Sequence, residues 1–396
     1  VAFLASFLIV LGLLQLVSVY LGLRGASLTG WLNGPGILVG IALFTAGVWL
    51  AIDTPAGLLL LYAIPGIVLA ALVLALVGVV WNLGWSPAQH FLDTAPDKGW
   101  HVEEVRIPMQ LSHVAQGVQL GDDFVPATYL HPDSTCADPE SIQDGKAVLL
   151  ICGAGDCRMA FKWQLFEALL AQGIAVLTID PPGHGDFAHA PMTLANARAA
   201  NRAALSWLYS RPGVKQVAVC GISFGGNQAA ALAAEDQRVR ALALISTPVT
   251  LNLLSRKTYV AEFLNLFIWP RNLGLLREGS LLTLWREWRS MKGAWFAESL
   301  YDMIRQFDTP ATLRALGARP KLIAHGTCDV AIPVSNARSL YEAAGPECEL
   351  MLIRQATHIS PVLYRPEMQR LAVWFAHSFA GSLNYNPSDA RQTLQS

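Results

Sequence analysis

Charge is what this chain has least of at its start. Within residues 1–92 only Arg24 and Asp53 are charged, and every other Lys, Arg, Asp and Glu of the 396-residue sequence lies in residues 93–396. About a quarter of the residues of an ordinary soluble domain are charged, so this stretch reads as a membrane part, with core helices of a globular domain as the alternative. The chain also lacks an excess of either sign. Its formal net charge of −1 gives no electrostatic reason to expect a nucleic acid partner. The six cysteines (Cys136, Cys152, Cys157, Cys220, Cys328 and Cys348) lack the paired spacing of a metal site, so no metal is expected. Several fall in apolar runs that read as strands, where a reduced Cys acts as a small apolar residue. There is no internal repeat.

The uncharged part divides into three apolar runs, 1–23, 36–52 and 56–81. A helix rises about 1.5 Å per residue, so roughly 20 apolar residues cross the hydrocarbon layer of a bilayer. None of the runs shows the polar stripe of a helix packed on a soluble core. The sequence therefore predicts three transmembrane helices and a multi-pass integral membrane protein. The first run has no basic flank and exceeds the apolar core of a signal peptide, which points to a retained helix. The chain begins with Val, so a few upstream residues are expected. Arg24 shares one side with Lys98 and Arg106, which places the remainder of the chain in the cytoplasm by the positive-inside rule.

Residues 82–98 read as a linker in which Gly84, Pro87 and Pro96 break any helix. The domain expected at 93–380 then opens with an edge hairpin, 102–108 and 118–131, turned at Gly121-Asp122-Asp123. Short apolar runs at 147–152, 174–179, 214–220 and 239–245 alternate with helical ones at 159–172, 195–210 and 227–234. Runs at 321–325 and 349–353 and a helix near 366–379 resume the rhythm. Continuous apolar strands separated by helices mean an α/β fold with a parallel sheet covered on both faces. Between 250 and 317 the alternation stops. This insert reads as helical, with Leu281, Leu284, Trp285, Trp288 and Trp295 on one face. Arg286, Arg289 and Lys292 beside those tryptophans suit a lipid surface, although packing on the core explains an apolar stripe as well. The tail, 381–396, is polar and predicted to be disordered.

Chemistry concentrates in Val217-Ala-Val-Cys-Gly-Ile-Ser-Phe-Gly-Gly226. An apolar strand enters Gly221, Ser223 follows at a tight turn, and Gly225 begins an Ala-rich helix. A nucleophilic serine on a strand-to-helix turn needs small residues two before and two after it, because neighbouring backbone comes close there. A serine hydroxyl is a weak nucleophile at neutral pH and needs a base oriented by an acid. Asp329 follows the run at 321–325, with Pro333 starting the next helix, and His358 lies in the loop after 349–353. Each has an ordinary alternative, Asp329 as a turn or cap residue and His358 as a loop histidine. Both fall at carboxyl ends of predicted strands in the order Ser, Asp, His.

With these residues in view, about 102–380 resembles the α/β-hydrolase superfamily. Ile179-Asp-Pro-Pro-Gly-His-Gly185 is similar to the D-x-P-G-H-G segment of its peptidase-, esterase- and lipase-like branches. The resemblance implies an α/β-hydrolase sheet flanked by helices, with the insert as a cap. It implies an oxyanion hole from the backbone N–H groups of Phe224 and of Ala154 in Leu149-Leu-Ile-Cys-Gly-Ala-Gly155, a structural role for His184, and no cofactor. The loop departs from the family's usual His-Gly start by having Cys152-Gly153, which leaves its register open. Cys152 as a nucleophile is disfavoured because no His follows it in register.

The expected function is a membrane-anchored serine hydrolase that cleaves a carboxylic ester, or a related thioester or amide, with a small or lipid-like acyl substrate. A serine peptidase is the alternative within enzymes. A non-catalytic hydrolase-fold scaffold in the membrane is the alternative outside them.

Overall fold

In the computed structural model, residues 1–23, 35–81, 87–109, 124–132, 145–249, 257–258, 261–262, 265 and 296–381 are described. They fall into two compact units, one holding the N-terminal helices and one holding the sheet. The expected turn at 121–123, the residues of the tail beyond Gly381, and Leu281, Leu284, Trp285, Arg286, Trp288, Arg289, Lys292 and Trp295 lie outside the described residues.

The three apolar runs form α1 (Ala2–Leu23), α2 (Pro35–Ala51) and α3 (Ala56–Trp81). Their glycines set how closely α1 and α2 meet. A Cβ on Gly12 would stand 2.6 Å from the backbone nitrogen of Phe44, and one on Gly47 would stand 2.6 Å from that of Ile9. Small residues at such crossings let helix backbones touch. The Ser6 hydroxyl donates to the Leu59 carbonyl of α3 at 2.9 Å. On the outside, Leu38, Trp49, Leu60 and Ile64 are each at least 70% exposed. Among the described residues no helix is long and apolar enough to cross a membrane. The side chains of α1 and α3 are described to Leu16 and Ala70.

The reading of 82–98 as a helix-free linker is corrected by α4, which spans Pro87–Thr94 and lies in the second unit from His90 on. Pro87 opens that helix where no backbone N–H is needed and a fixed φ helps, so it acts as a starter and not a breaker. Phe91 of α4 packs against Trp100 and Phe166, with ring centroids 6.1 and 5.9 Å apart.

The sheet has eight strands: β1 (Trp100–Pro108), β2 (Phe124–Pro132), β3 (Lys146–Ile151), β4 (Ala175–Ile179), β5 (Gln216–Ile222), β6 (Val239–Ile245), β7 (Lys321–Gly326) and β8 (Cys348–Ile353). Their order is β1-β2-β4-β3-β5-β6-β7-β8. β1 and β2 form the expected antiparallel hairpin, β2 runs antiparallel to β4, and all other pairs are parallel. Ala147, Val148, Leu149 and Leu150 of β3 are wholly buried, as a run without polar alternation requires when both faces are covered. Burying each such Leu stabilises the fold by about 1.5–3 kcal/mol.

The covering helices are α5 (Trp163–Ala171), α6 (Leu194–Ser210), α7 (Phe224–Glu235), α8 (Leu300–Arg305), α9 (Thr309–Ala315), α10 (Ser335–Ala344) and α11 (Arg365–Ala380). The helix expected at 159–172 starts only at Trp163, because Cys157–Lys162 turns through a positive φ at Phe161. The helix expected after Pro333 starts at Ser335. Within the insert, α8 and α9 agree with its helical reading. Asp308 caps α9 by accepting the Ala311 N–H at 2.9 Å.

This topology decides where a site can form. From β3 the chain crosses to β4 on one side, whereas β5, β6, β7 and β8 follow on the other. Loops leaving the carboxyl ends of β3 and β5 therefore diverge and leave a crevice between them.

Candidate active site

Ser223 follows β5 and caps the start of α7 with φ 53° and ψ −125°, a conformation that costs a residue with a Cβ about 1–3 kcal/mol. Two backbone hydrogen bonds hold it there. Ser223 N–H donates to the Ile245 carbonyl at 2.8 Å, and the Ser223 carbonyl accepts from Gly226 N–H at 2.9 Å. The flanking glycines are required by close approach. A Cβ on Gly221 would meet the Gly225 carbonyl, and one on Gly225 would meet the carbonyls of Ile151 and Cys152. The place of a Cβ on Gly153, in the loop after β3, lies 3.1 Å from the Ser223 Cβ, so that loop borders the serine.

The structure brings Asp329 and His358 to Ser223. His358 Nε2 lies 3.1 Å from Ser223 Oγ, and His358 Nδ1 lies 2.8 Å from Asp329 Oδ2. Asp329 is buried, and its Oδ1 accepts the Ile332 N–H at 2.7 Å, which leaves Oδ2 turned to the imidazole. Nδ1–H therefore donates to the carboxylate and Nε2 accepts the serine O–H. Burial alone would pull the His358 pKa down, but the Asp329 charge and hydrogen bond, with Glu262 behind them, raise it above its ordinary value.

Gly326 makes this approach possible. A Cβ there would meet the carbonyl of Ala356 and stand 2.6 Å from that of Thr357, the two residues before His358. Thr357 N–H donates to Ser360 Oγ at 2.9 Å and fixes the loop's turn.

Two further titratable groups stand here that the sequence did not single out. His325, wholly buried, donates from Nε2 to the Ile332 carbonyl at 2.8 Å and lies 3.3 Å from Asp329 Oδ2. Burial lowers its pKa, so it packs as a neutral ring. Its only signal was its place four residues before Asp329. Glu262, buried, comes from the insert and accepts the backbone N–H groups of His358 and Val330. Nothing local marked it, since its partners stand 96 and 68 residues away.

The loop after β3 is clamped by charge. The Arg158 guanidinium bonds Asp180, Glu104 and Asp186, and Arg158 N–H donates to Asp180 Oδ1 at 2.8 Å. The buried Lys162 ammonium donates to Asp156 Oδ1 and to the carbonyls of Cys157 and Ala160 at 2.7–2.8 Å, which uses all three of its protons. His184 Nδ1 lies 2.8 Å from the Pro182 carbonyl, so it carries the proton, and Nε2 accepts Gly155 N–H at 2.9 Å. A neutral ring is required, and burial lowers the His184 pKa accordingly. This geometry ties the DPPGHG segment to the residue after Ala154.

Phe224 is buried as the first residue of α7, where a backbone N–H has no intrahelical acceptor. It clusters with Met303 and Ile304 of α8, and Ala154 and Phe307 pack against the same cluster. Burial pushes the thiol of Cys152 up, which makes it a poor nucleophile, and pushes that of Cys220 up to about 12. Among the described residues no cysteine forms a disulfide.

A family model described as Alpha/beta hydrolase family matches residues 148–373. Esterase FrsA of Vibrio cholerae is 33% identical over 127 residues, 31% of this chain and 29% of that protein. Esterase FrsA of Vibrio parahaemolyticus is 32% identical over 106 residues, 26% of this chain and 25% of its own. The chain thus spans less than a third of the length of these curated relatives. Among solved structures, the alpha/beta hydrolase GrgF of Penicillium sp. sh18 is similar with a TM-score of 0.52 at 17% identity, over 71% of this chain and 99% of that one. At that identity the likeness bears on fold alone.

Proposed function

Because the chain belongs to the alpha/beta hydrolase family, and so is a hydrolase, we propose that it cleaves a carboxylic ester by acyl transfer to Ser223 and then to water. The observation that carries this reading is the chain Ser223–His358–Asp329, with its 3.1 and 2.8 Å links. In the first step Ser223 Oγ attacks the carbonyl carbon while His358 Nε2 takes the hydroxyl proton. Asp329 holds the imidazole and balances the imidazolium. In this reading the negative charge on the carbonyl oxygen is met by the N–H groups of Phe224 and Ala154, since backbone donors suit the task by needing no reorganisation as charge develops. His358 then returns its proton to the leaving oxygen and the C–O bond breaks. Water repeats the sequence on the acyl-enzyme, releasing the acid and restoring Ser223. Thioester and amide carbonyls fit the same steps.

The proposal extends to placement. Helices α1, α2 and α3 are read as membrane spans, supported by the absence of charge within them and by the outward apolar side chains at Leu38, Trp49, Leu60 and Ile64. Arg24, Lys98 and Arg106 then favour a cytoplasmic hydrolase unit. A tethered hydrolase meets acyl esters that partition into lipid, so the substrate proposed is a lipophilic ester.

The test is a series of p-nitrophenyl esters of increasing acyl length, given to the full chain in detergent micelles. Hydrolysis that rises with acyl length and falls by about 10⁴-fold or more in Ser223→Ala supports the reading. Equal rates on short and long esters count against the lipophilic substrate. Full activity in the alanine variant counts against the nucleophile.

A further inference from the structure

Glu262 belongs to the insert between β6 and β7, yet it touches both loops that carry the proposed base and acid. Its Oε1 accepts the backbone N–H of His358, and its Oε2 accepts that of Val330, next to Asp329, at 3.2 Å. The side chain is buried, so neither bond competes with bulk water. One carboxylate thus sets the distance between the His358 loop and the Asp329 loop from outside both.

We propose that Glu262 is a positioning residue of this site: it fixes those two loops against each other and, as a carboxylate, places a second negative charge that stabilises the His358 imidazolium formed during turnover. The proposal rests on the reading of His358 as the base. The titratable groups facing the imidazole are Asp329 and His325 from the carboxyl end of β7 and Glu262 from the insert. His325 is held neutral by burial, so the two carboxylates supply the field. Burial and the charge of Asp329 push the Glu262 carboxyl up, while the two N–H donors and His358 pull it back toward the ionised form. This arrangement gives the insert a task at the site, because a segment that holds Glu262 in place also holds the histidine in place.

The test is the rate of inactivation by a fluorophosphonate, followed from about pH 5 to about pH 9 on the full chain in micelles. The variants compared are wild type, Glu262→Gln and Glu262→Asp. Gln keeps the shape and removes the charge. Its acidic limb is expected to move to lower pH by roughly half a unit to one unit, because an imidazolium with one fewer anion beside it loses its proton more readily. Its plateau is expected to fall about 3- to 10-fold, since an amide cannot accept both N–H groups. Asp keeps the charge on a shorter stem, so its limb should stay at the wild-type position with a lowered plateau.

A Gln limb at the wild-type pH overturns the proposal whatever its plateau does, because a purely structural role lowers the plateau alone. Should the Gln variant fail to fold, Glu262→Ala takes its place, since it too removes the charge: a limb moved to lower pH in Ala and left in place in Asp supports the proposal, and an Ala limb at the wild-type pH overturns it. A wild type that does not react removes the base role and this inference with it. A reactive wild type with an unmoved Gln limb removes this inference alone.

Discussion

Leu60 in α3 and Leu149 in β3 are the same residue in opposite circumstances. The first is 74% exposed and the second wholly buried. The contrast extends over their units. The N-terminal helices contain no charged residue and turn large apolar side chains outward, whereas the sheet unit buries most of its apolar residues in its core. Burial in water explains the second unit by itself. For the first, exposed apolar side chains of this size call for a covering surface, and the membrane placement proposed above is one that would supply it.

Substitutions can break this comparison or sharpen it. The largest effect is expected inside the sheet unit, at Asp329→Asn. An amide there would donate to His358 Nδ1 and force the proton onto Nε2, which then cannot accept from Ser223. Ester hydrolysis should fall by about 10⁴-fold in a variant that still folds, with membrane retention unchanged. Retained hydrolysis would remove Asp329 from the mechanism.

Next come the two leucines. Leu149→Ala should destabilise the sheet unit by about 2–5 kcal/mol in chemical unfolding, whereas Leu60→Ala should change that unfolding by less than about 0.5 kcal/mol. Equal effects would mean that Leu60 is packed. A charge separates the units in the other direction. Ile64→Arg should oppose membrane insertion by about 2.5–3.5 kcal/mol, read as the carbonate-extractable fraction, while ester hydrolysis per folded molecule is unchanged. An unchanged membrane fraction would sink the reading of α3 as a span.

The smallest effect is one of pH. His358 must be neutral to act, and its pKa is raised, so activity should decline as pH falls through a value above the ordinary 6.5 of histidine. Stability runs the opposite way. A group whose folded pKa is raised adds stability that is fully present below its unfolded pKa and is lost as pH rises through the folded one. The His358–Asp329 pair should thus stabilise the unit most where the enzyme is least active. A limb below 6.5 would show that burial outweighs the two carboxylates.

The parts of this molecule legible in its sequence are those specified locally. Strand β6 was found at its observed bounds, because its apolar run needs no partner to be recognised. Gly221, Ser223 and Gly225 announce a strained turn within five residues, and Asp329 and His358 each follow an apolar strand in the order the topology requires. The residues that were missed act across the sheet. Gly326 is small because of the backbone at Ala356 and Thr357, and Glu262 is anchored by N–H groups of two distant loops. Such roles exist only once the strand order is known. Pro87 was misread for a different reason, since proline both ends and begins helices and only the succeeding residues decide which.

Whether Ser223 is the nucleophile is tested most directly by mass spectrometry of the fluorophosphonate-treated chain. The account predicts a single phosphonylated residue, Ser223, in wild type and no adduct in Ser223→Ala. An unlabelled wild type, or an alanine variant labelled to the same extent, would contradict it.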